Sequence, residues 1–268
     1  DLGEILVISS EDPGAEVESN GYVSNLKRQQ VSTFAGLAAA TRPYALKLRS
    51  DLELKNASLC QEFEPSEASE IYKFTRPMVI TNLFVRNYLV EPALFHVSDL
   101  VQFGRTSDLR AYWKADERYR PLPIAKSVLR IPLYPEQRQA LRWLSTSGTD
   151  LPRMKHANAG RLKEFRAWER LISREFRILD YANSGVTFPT RFTNQPNLAK
   201  TLLSADKNGS LGNRDSKKDY LLRYIVFRQK AILKAPLLGI ATYAALRMPS
   251  TYPRMYKTLQ KLWHLLGF

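Results

Sequence analysis

Three features near the start of the chain predict an α/β fold. Ile5–Ser9 is a short apolar run of strand character, Leu26–Ala40 has helical periodicity and no internal Pro, and Tyr44–Ser50 alternates side-chain types like a strand. Strand, helix, strand in that order is the pattern of a βαβ unit with helices packed on a sheet. The size is compatible: 268 residues make one large domain, or one domain with an appendage. A hydrophobic fraction of 44% with 11% aromatics supplies a core and excludes global disorder.

Taken in order, Ile5–Ser9 runs into Glu11-Asp12-Pro13-Gly14, a turn signal. Because that first strand opens almost at once, a further piece of the fold, its first strand, is expected upstream. No basic segment followed by an apolar run marks a secretory leader. Leu26–Ala40 ends Ala-rich, which favours helix. Met78–Tyr88 and Ala93–Phe103 are β-rich runs. Pro135–Leu144 opens a helix with Pro in its first turn, and Arg161–Phe176 is another helix. The polar, Gly-containing stretch Ser204–Lys218 reads as a linker. The expected organisation is therefore a domain over residues 1–203, a linker over 204–218 and a helical tail over 219–268.

The net charge is +14, from 40 Lys and Arg against 26 Asp and Glu, which implies an anionic partner. The excess is not spread evenly. Asp1–Asn20 contains acids but no Lys or Arg, whereas no acid follows Asp219. Within the tail, Arg223, Lys230 and Lys234 form one stripe, and Tyr256–Leu266 sets Leu259, Leu262 and Trp263 opposite Lys257, Lys261 and His264. Ala235–Leu246 is apolar but much shorter than the ~20 residues that span a bilayer. Such a tail suits an interfacial helix on anionic lipid, or a helix packed on the domain with a solvated basic face.

Several chemistries are excluded or disfavoured. Cys60 is alone, so neither an internal disulfide nor a repeated-cysteine zinc site is available. His96, His156 and His264 are the only histidines, which disfavours a multi-histidine metal site. No P-loop, dinucleotide fingerprint or Ser-His-Asp signature is present.

The segment Tyr44–Asp51 carries the most information. On a strand, Tyr44, Leu46 and Leu48 share one face, and Lys47, Arg49 and Asp51 share the other. A strand following a helix in a βαβ unit is normally apolar on both faces, so these charges need a ligand or each other. Asp51 falls at the carboxyl end, where open α/β sheets bind ligands. One reading is a phosphate site with Mg²⁺ or Mn²⁺ on Asp51. The other is an edge strand with a surface salt bridge.

Residues Asn25-Leu26-Lys27-Arg28-Gln29-Gln30-Val31-Ser32-Thr33, Gly36-Leu37 and Tyr44-Ala45-Leu46-Lys47-Leu48-Arg49-Ser50-Asp51 resemble the WavE lipopolysaccharide synthesis family. The likeness continues through Phe95-His96-Val97-Ser98-Asp99, Phe103-Gly104, Asp108-Leu109 and Pro135-Glu136-Gln137, and more loosely over Glu169–Gly185. That family resembles nucleotide-sugar glycosyltransferases of the GT-A type. The resemblance implies a GT-A-like, Rossmann-like mixed sheet flanked by helices, with the C-terminal helical appendage added. It also implies a nucleotide-sugar donor and a glycan or glycolipid acceptor. In such enzymes an Asp-x-Asp triplet holds the metal; here the triplet is Arg49-Ser50-Asp51, so Arg stands in the first position. Asp51 then ligates the metal, with Glu53 as a possible second ligand, or Arg49 neutralises the diphosphate instead.

The resemblance implies further roles. Glu11 and Asp12 would contact the nucleoside, the alternative being a plain acidic turn. Arg28, Lys47, Arg49 and Asp51 would bind the donor. His96 and Ser98, one face of a strand through Phe95–Asp99, would meet the acceptor. Asp99 or Glu136 would act as general base; otherwise Asp99 is a buried carboxylate tied to backbone or Arg105, and Glu136 a helix-start acid. The expected activity is sugar transfer to lipopolysaccharide or another surface glycan, on the cytoplasmic side, with peripheral contact to anionic membrane and no nucleic acid. The competing class is a non-catalytic basic module that binds membrane or nucleic acid.

Overall fold

The computed structural model describes residues 6–17, 23–63, 74–75, 77–114, 133–146, 154, 157, 160–195, 198, 202–203 and 221–232. In chain order the elements are β1 (Glu16–Val17), β2 (Val23–Ser24), α1 (Leu26–Ala39), β3 (Tyr44–Leu48), β4 (Glu53–Leu54), α2 (Ser58–Gln61), β5 (Met78–Thr81), β6 (Val101–Arg105), α3 (Thr106–Trp113), α4 (Pro135–Thr146), α5 (Leu162–Arg174), β7 (Phe176–Leu179), β8 (Val186–Thr187) and α6 (Thr190–Thr193). A 3-10 turn, Tyr181–Asn183, precedes β8, and residues 221–232 are helical. The linker and most of the tail, including Ala235–Leu246 and Tyr256–Leu266, lie outside the described residues, as does His156.

The main sheet is mixed, with strand order β3-β6-β5-β7. β6 runs antiparallel to both β3 and β5, while β5 and β7 are parallel. The register pairs Leu48 with Val101 and Thr81 with Leu179. One end of the sheet therefore collects the carboxyl ends of β3, β5 and β7 and the entry to β6. β5 is Met-Val-Ile-Thr and is buried on both faces, as an interior strand requires. Met78 and Ile80 enter one core with Phe176, Ile178, Trp113, Trp143 and Trp168. Val79 enters the other, with Val101, Leu46, Leu48 and Phe103.

Local sequence explains the helices. α4 starts at Pro135, where a missing N–H costs nothing. α5 buries Phe165, Trp168, Leu171 and Ile172 at helical spacing, and the Arg161 N–H donates to Glu164 Oε2 at 2.8 Å. α1 has no basic residue in its last turn. Arg110 of α3 supplies the donors, bonding the carbonyls of Leu37 and Ala40 at 2.7 and 2.6 Å.

Three expectations are corrected. Residues 6–9 carry no strand: Leu6 and Val7 are 71% and 85% exposed, with no strand paired to them among the described residues. Consequently the opening βαβ unit is absent among the described residues, and the parallel pair is β5 with β7. β3 is an edge strand antiparallel to β6, not a central parallel one. Finally, the run Ala93–Phe103 becomes strand only from Val101; Phe95–Asp99 is a buried loop. Left-handed backbone at Phe95, φ 62°, is incompatible with an extended strand there.

Candidate functional site

At the carboxyl end of the sheet, a loop after β5, the loop before β6 and the start of α4 meet. His96 is 3% exposed, and its Nδ1 lies 2.7 Å from the Phe84 carbonyl. A carbonyl only accepts, so Nδ1 carries the proton and Nε2 offers its lone pair. Burial, then the positive charge of Arg86, pushes the His96 pKa down to about 3, so the ring is neutral at pH 7. Its Nε2 is 3.6 Å from Glu136 Oε2. With a neutral ring that contact is dipolar rather than ionic.

Glu136 sits in the first turn of α4, where the helix dipole favours a carboxylate by ~0.3–1 kcal/mol. That preference loses here. Burial, reinforced by the charge of Asp99, pushes the Glu136 pKa up to about 7. The carboxyl is therefore divided between acid and base forms at neutral pH.

Asp99 is held by α1 and β3. Gln29 Nε2 donates to Asp99 Oδ2 at 2.5 Å, and Lys47 Nζ donates to the Asp99 carbonyl. Lys47 also lies 5.1 Å from the centre of the Trp113 ring. Burial pushes the Lys47 pKa down, against the attraction of Asp99. Phe84 and Phe95 adopt left-handed backbone, φ 65° and 62°, which costs a side-chain-bearing residue about 1–2 kcal/mol each. Both flank His96: the first presents the carbonyl that fixes its tautomer, the second precedes it in the chain. Strain retained at such a place marks a geometry that the surrounding core enforces.

The rim of the site is cationic. Past the end of β3 the chain turns, with the Leu52 N–H bonded to the Arg49 carbonyl at 3.1 Å. The turn brings Arg49 onto Asp51: Nε meets Oδ1 and Nη2 meets Oδ2, each at 3.0 Å. Arg191 of α6 donates to the same Oδ2 from across the site. Both guanidiniums lie over Phe192, at 5.4 Å for Arg49 and 4.8 Å for Arg191. The Arg49 guanidinium holds the Asp51 carboxyl below the ordinary carboxylate range.

The sequence-predicted residues divide accordingly. Lys47, Arg49, Asp51, His96, Asp99 and Glu136 come together. Lys47 points inward to the Asp99 backbone carbonyl and the Trp113 ring, so it fixes the main chain that carries that carboxylate. His96 and Ser98 are buried, and the Ser98 carbonyl accepts from Gln102 Nε2 at 3.0 Å. Asp99 pairs with Gln29, not Arg105. Arg28 and Asp12 bond each other, at 2.8 and 2.9 Å, on an exposed surface, and Glu11 is exposed beside them. Glu53 pairs with Lys55 at 2.5 Å and does not join Asp51. Gln29, Arg191 and Phe192 escaped the sequence reading. Gln29 stands inside the Asn25–Thr33 block; for Arg191 and Phe192, neither periodicity nor spacing gives a signal.

An Asp-x-Asp-type metal site needs free carboxylate oxygens. Both oxygens of Asp51 are occupied by guanidiniums, and no group of three or more His, Cys, Asp and Glu among the described residues is placed to hold a metal. The donor set does not fit a divalent cation.

A mixed sheet carrying a buried carboxyl–imidazole cluster behind an arginine rim, all at one end, defines an α/β protein with a polar site at its strand termini. The chain belongs to the WavE lipopolysaccharide synthesis family, whose model matches residues 1–235. No curated protein and no solved structure matches it.

Proposed function

We propose that the chain is a GT-A-like glycosyltransferase that moves a sugar from a nucleotide-sugar donor to a glycan or glycolipid acceptor in lipopolysaccharide synthesis. The observation that carries this reading is Glu136, a carboxyl poised near neutral pH beside His96 and Asp99 and facing a cationic rim. A general base works best with a pKa near the working pH. The acceptor hydroxyl gives its proton to Glu136 as its oxygen bonds to the anomeric carbon. The bond from that carbon to the diphosphate oxygen breaks, and the diphosphate leaves with the electron pair. Asp99, oriented by Gln29 and Lys47, raises the basicity of Glu136 through its negative charge.

The site's nearest competitor, a basic module without chemistry, would have no use for a desolvated carboxyl pair. A panel of sugar nucleotides, assayed for transfer or slow donor hydrolysis, tests the proposal. Glu136→Gln is expected to lower turnover by roughly 10²–10⁴-fold with the fold intact. Full activity in that variant removes Glu136 from the role, and no turnover or binding with any sugar nucleotide removes the glycosyltransferase.

The donor places the reaction on the cytoplasmic side, with peripheral contact to the inner face of the membrane. Support comes from residues 221–232, whose outer side exposes Leu221, Leu222, Ile225 and Ile232. No helix among the described residues is long and apolar enough to cross a membrane.

A further inference from the structure

We propose that Arg49 and Arg191, held together by Asp51, bind the donor's diphosphate without a divalent cation. The proposal rests on the glycosyltransferase reading and says how that site meets its anion. Position 49 is where a metal-binding carboxylate is expected from the family resemblance, and it carries the opposite charge. Asp51, the remaining acid of that triplet, is turned into a post for two guanidiniums. A divalent cation on Asp51 would have to displace both and then sit beside them. Glu53, the adjacent acid, is engaged with Lys55.

The geometry suits an anion. Two guanidiniums against one carboxylate leave a net positive charge. The side chains of Arg49 and Arg191 are 35% and 61% accessible, so the pair opens to solvent. Each guanidinium has five donors in a planar fork, of which Asp51 takes two from Arg49 and one from Arg191. The remaining donors match phosphate oxygens in bidentate fashion. The Phe192 ring lies beneath both guanidiniums, a cation–π contact that helps hold the two forks side by side. Arg49 also lies within the field of Asp99 and Glu136, so the anion would bind next to the proposed base.

The test is calorimetric titration of the full chain with inorganic pyrophosphate and with a sugar nucleotide, in EDTA and in Mn²⁺. Pyrophosphate is expected to bind in EDTA about as tightly as in Mn²⁺. Arg49→Gln and Arg191→Gln are each expected to weaken it by about 10-fold or more, with Arg191→Lys restoring only part because it keeps the charge and loses the fork. Thermal unfolding of each variant checks the fold; should Arg49→Gln fail to fold, the more exposed Arg191→Gln carries the test. Binding that appears only with Mn²⁺, or that ignores both substitutions, overturns the clamp. The two proposals fail separately. Sugar-nucleotide binding that requires Mn²⁺ sinks the clamp and leaves the transferase, whereas metal-free pyrophosphate binding without any sugar-nucleotide binding does the reverse.

Discussion

His96 Nε2 faces Glu136 Oε2 at 3.6 Å, while the Nδ1–H of the same ring is committed to the Phe84 carbonyl at 2.7 Å. The imidazole thus presents only an acceptor to the carboxyl, and it stays neutral because protonation would charge a buried ring beside Arg86. A neutral acceptor stabilises the protonated form of Glu136 more than the ionised one. Burial and the charge of Asp99 act in the same direction. Burial and Asp99 thus outweigh a backbone hydrogen bond, the charges of Arg86 and Arg49 and the helix dipole, all of which favour the ionised carboxyl.

A pH–rate profile follows. Glu136 acts as base only when ionised, so kcat/KM should climb about tenfold per pH unit below an apparent pKa of about 7 and level off above it. In Asp99→Asn the neighbouring charge is gone, and the inflection should move to lower pH. An inflection at pH 4–5 in the unaltered protein, the ordinary carboxyl range, would contradict the environment described for Glu136.

His96 makes an opposite contribution to stability. Its folded pKa of about 3 lies below the ordinary 6.5, so the unfolded chain binds the extra proton between those values. Stability from this group is complete above pH 6.5 and is lost as pH falls toward 3, by up to ~1.4 kcal/mol per pH unit. His96→Gln keeps a donor for the Phe84 carbonyl but cannot titrate. Urea midpoints from pH 7 down to 4 should fall less steeply in His96→Gln than in the unaltered chain; parallel curves would mean the ring is not held neutral.

Much of this was legible in the residues, and the failures have physical causes. α1, α4 and α5 follow from periodicity, Pro135 and the absence of breakers, because a helix is specified by neighbours in sequence. The strand alternation at Leu46 and Leu48 also holds, since both enter the same core. What went astray depended on partners far away in the chain. Leu6–Ser9 has strand composition but no strand beside it among the described residues. His96 and Asp99 sit in a loop that is buried by tertiary packing and shaped by left-handed Phe95. Arg191 reaches Asp51 over 140 residues of sequence, a relationship no local pattern encodes.

The tail stripe illustrates the same point and yields a stability prediction. Of the stripe that suits either a lipid surface or packing on the domain, Arg223 takes the packed role: it forks onto the buried carboxylate of Glu169 at 2.8 and 3.1 Å, and Tyr88 donates to that carboxylate at 2.7 Å. This pair, with Phe227 packed on Phe165, fastens residues 221–232 to α5. Removing the cation strands a buried charge, so Arg223→Met should cost about 3–5 kcal/mol by denaturant unfolding. Glu169→Gln in that background removes the stranded charge and should recover part of the loss. Equal destabilisation by the single and double variants would mean that packing, not the ion pair, holds the helix.

Fastening one side of that helix leaves the other side to be explained. Phe227 and Ala231 are buried, whereas Leu222 and Ile225 on the outer side are 62% and 44% exposed. Arg228 and Lys230 belong to the same stretch, so aliphatic and cationic groups share it. Apolar side chains contribute roughly 25 cal/mol per Å² when they leave water, and basic groups near anionic headgroups add about 1 kcal/mol each. Leu222→Glu with Ile225→Glu reverses the sign of both contributions without touching Glu169, Arg223 or Phe227. The double variant should therefore keep its thermal midpoint and its sugar-nucleotide affinity while losing most of its flotation with vesicles rich in anionic lipid. Neutral vesicles should capture the unaltered chain weakly, and added salt should release it from anionic ones. If the double variant floats as well as the unaltered chain, this face does not meet the membrane.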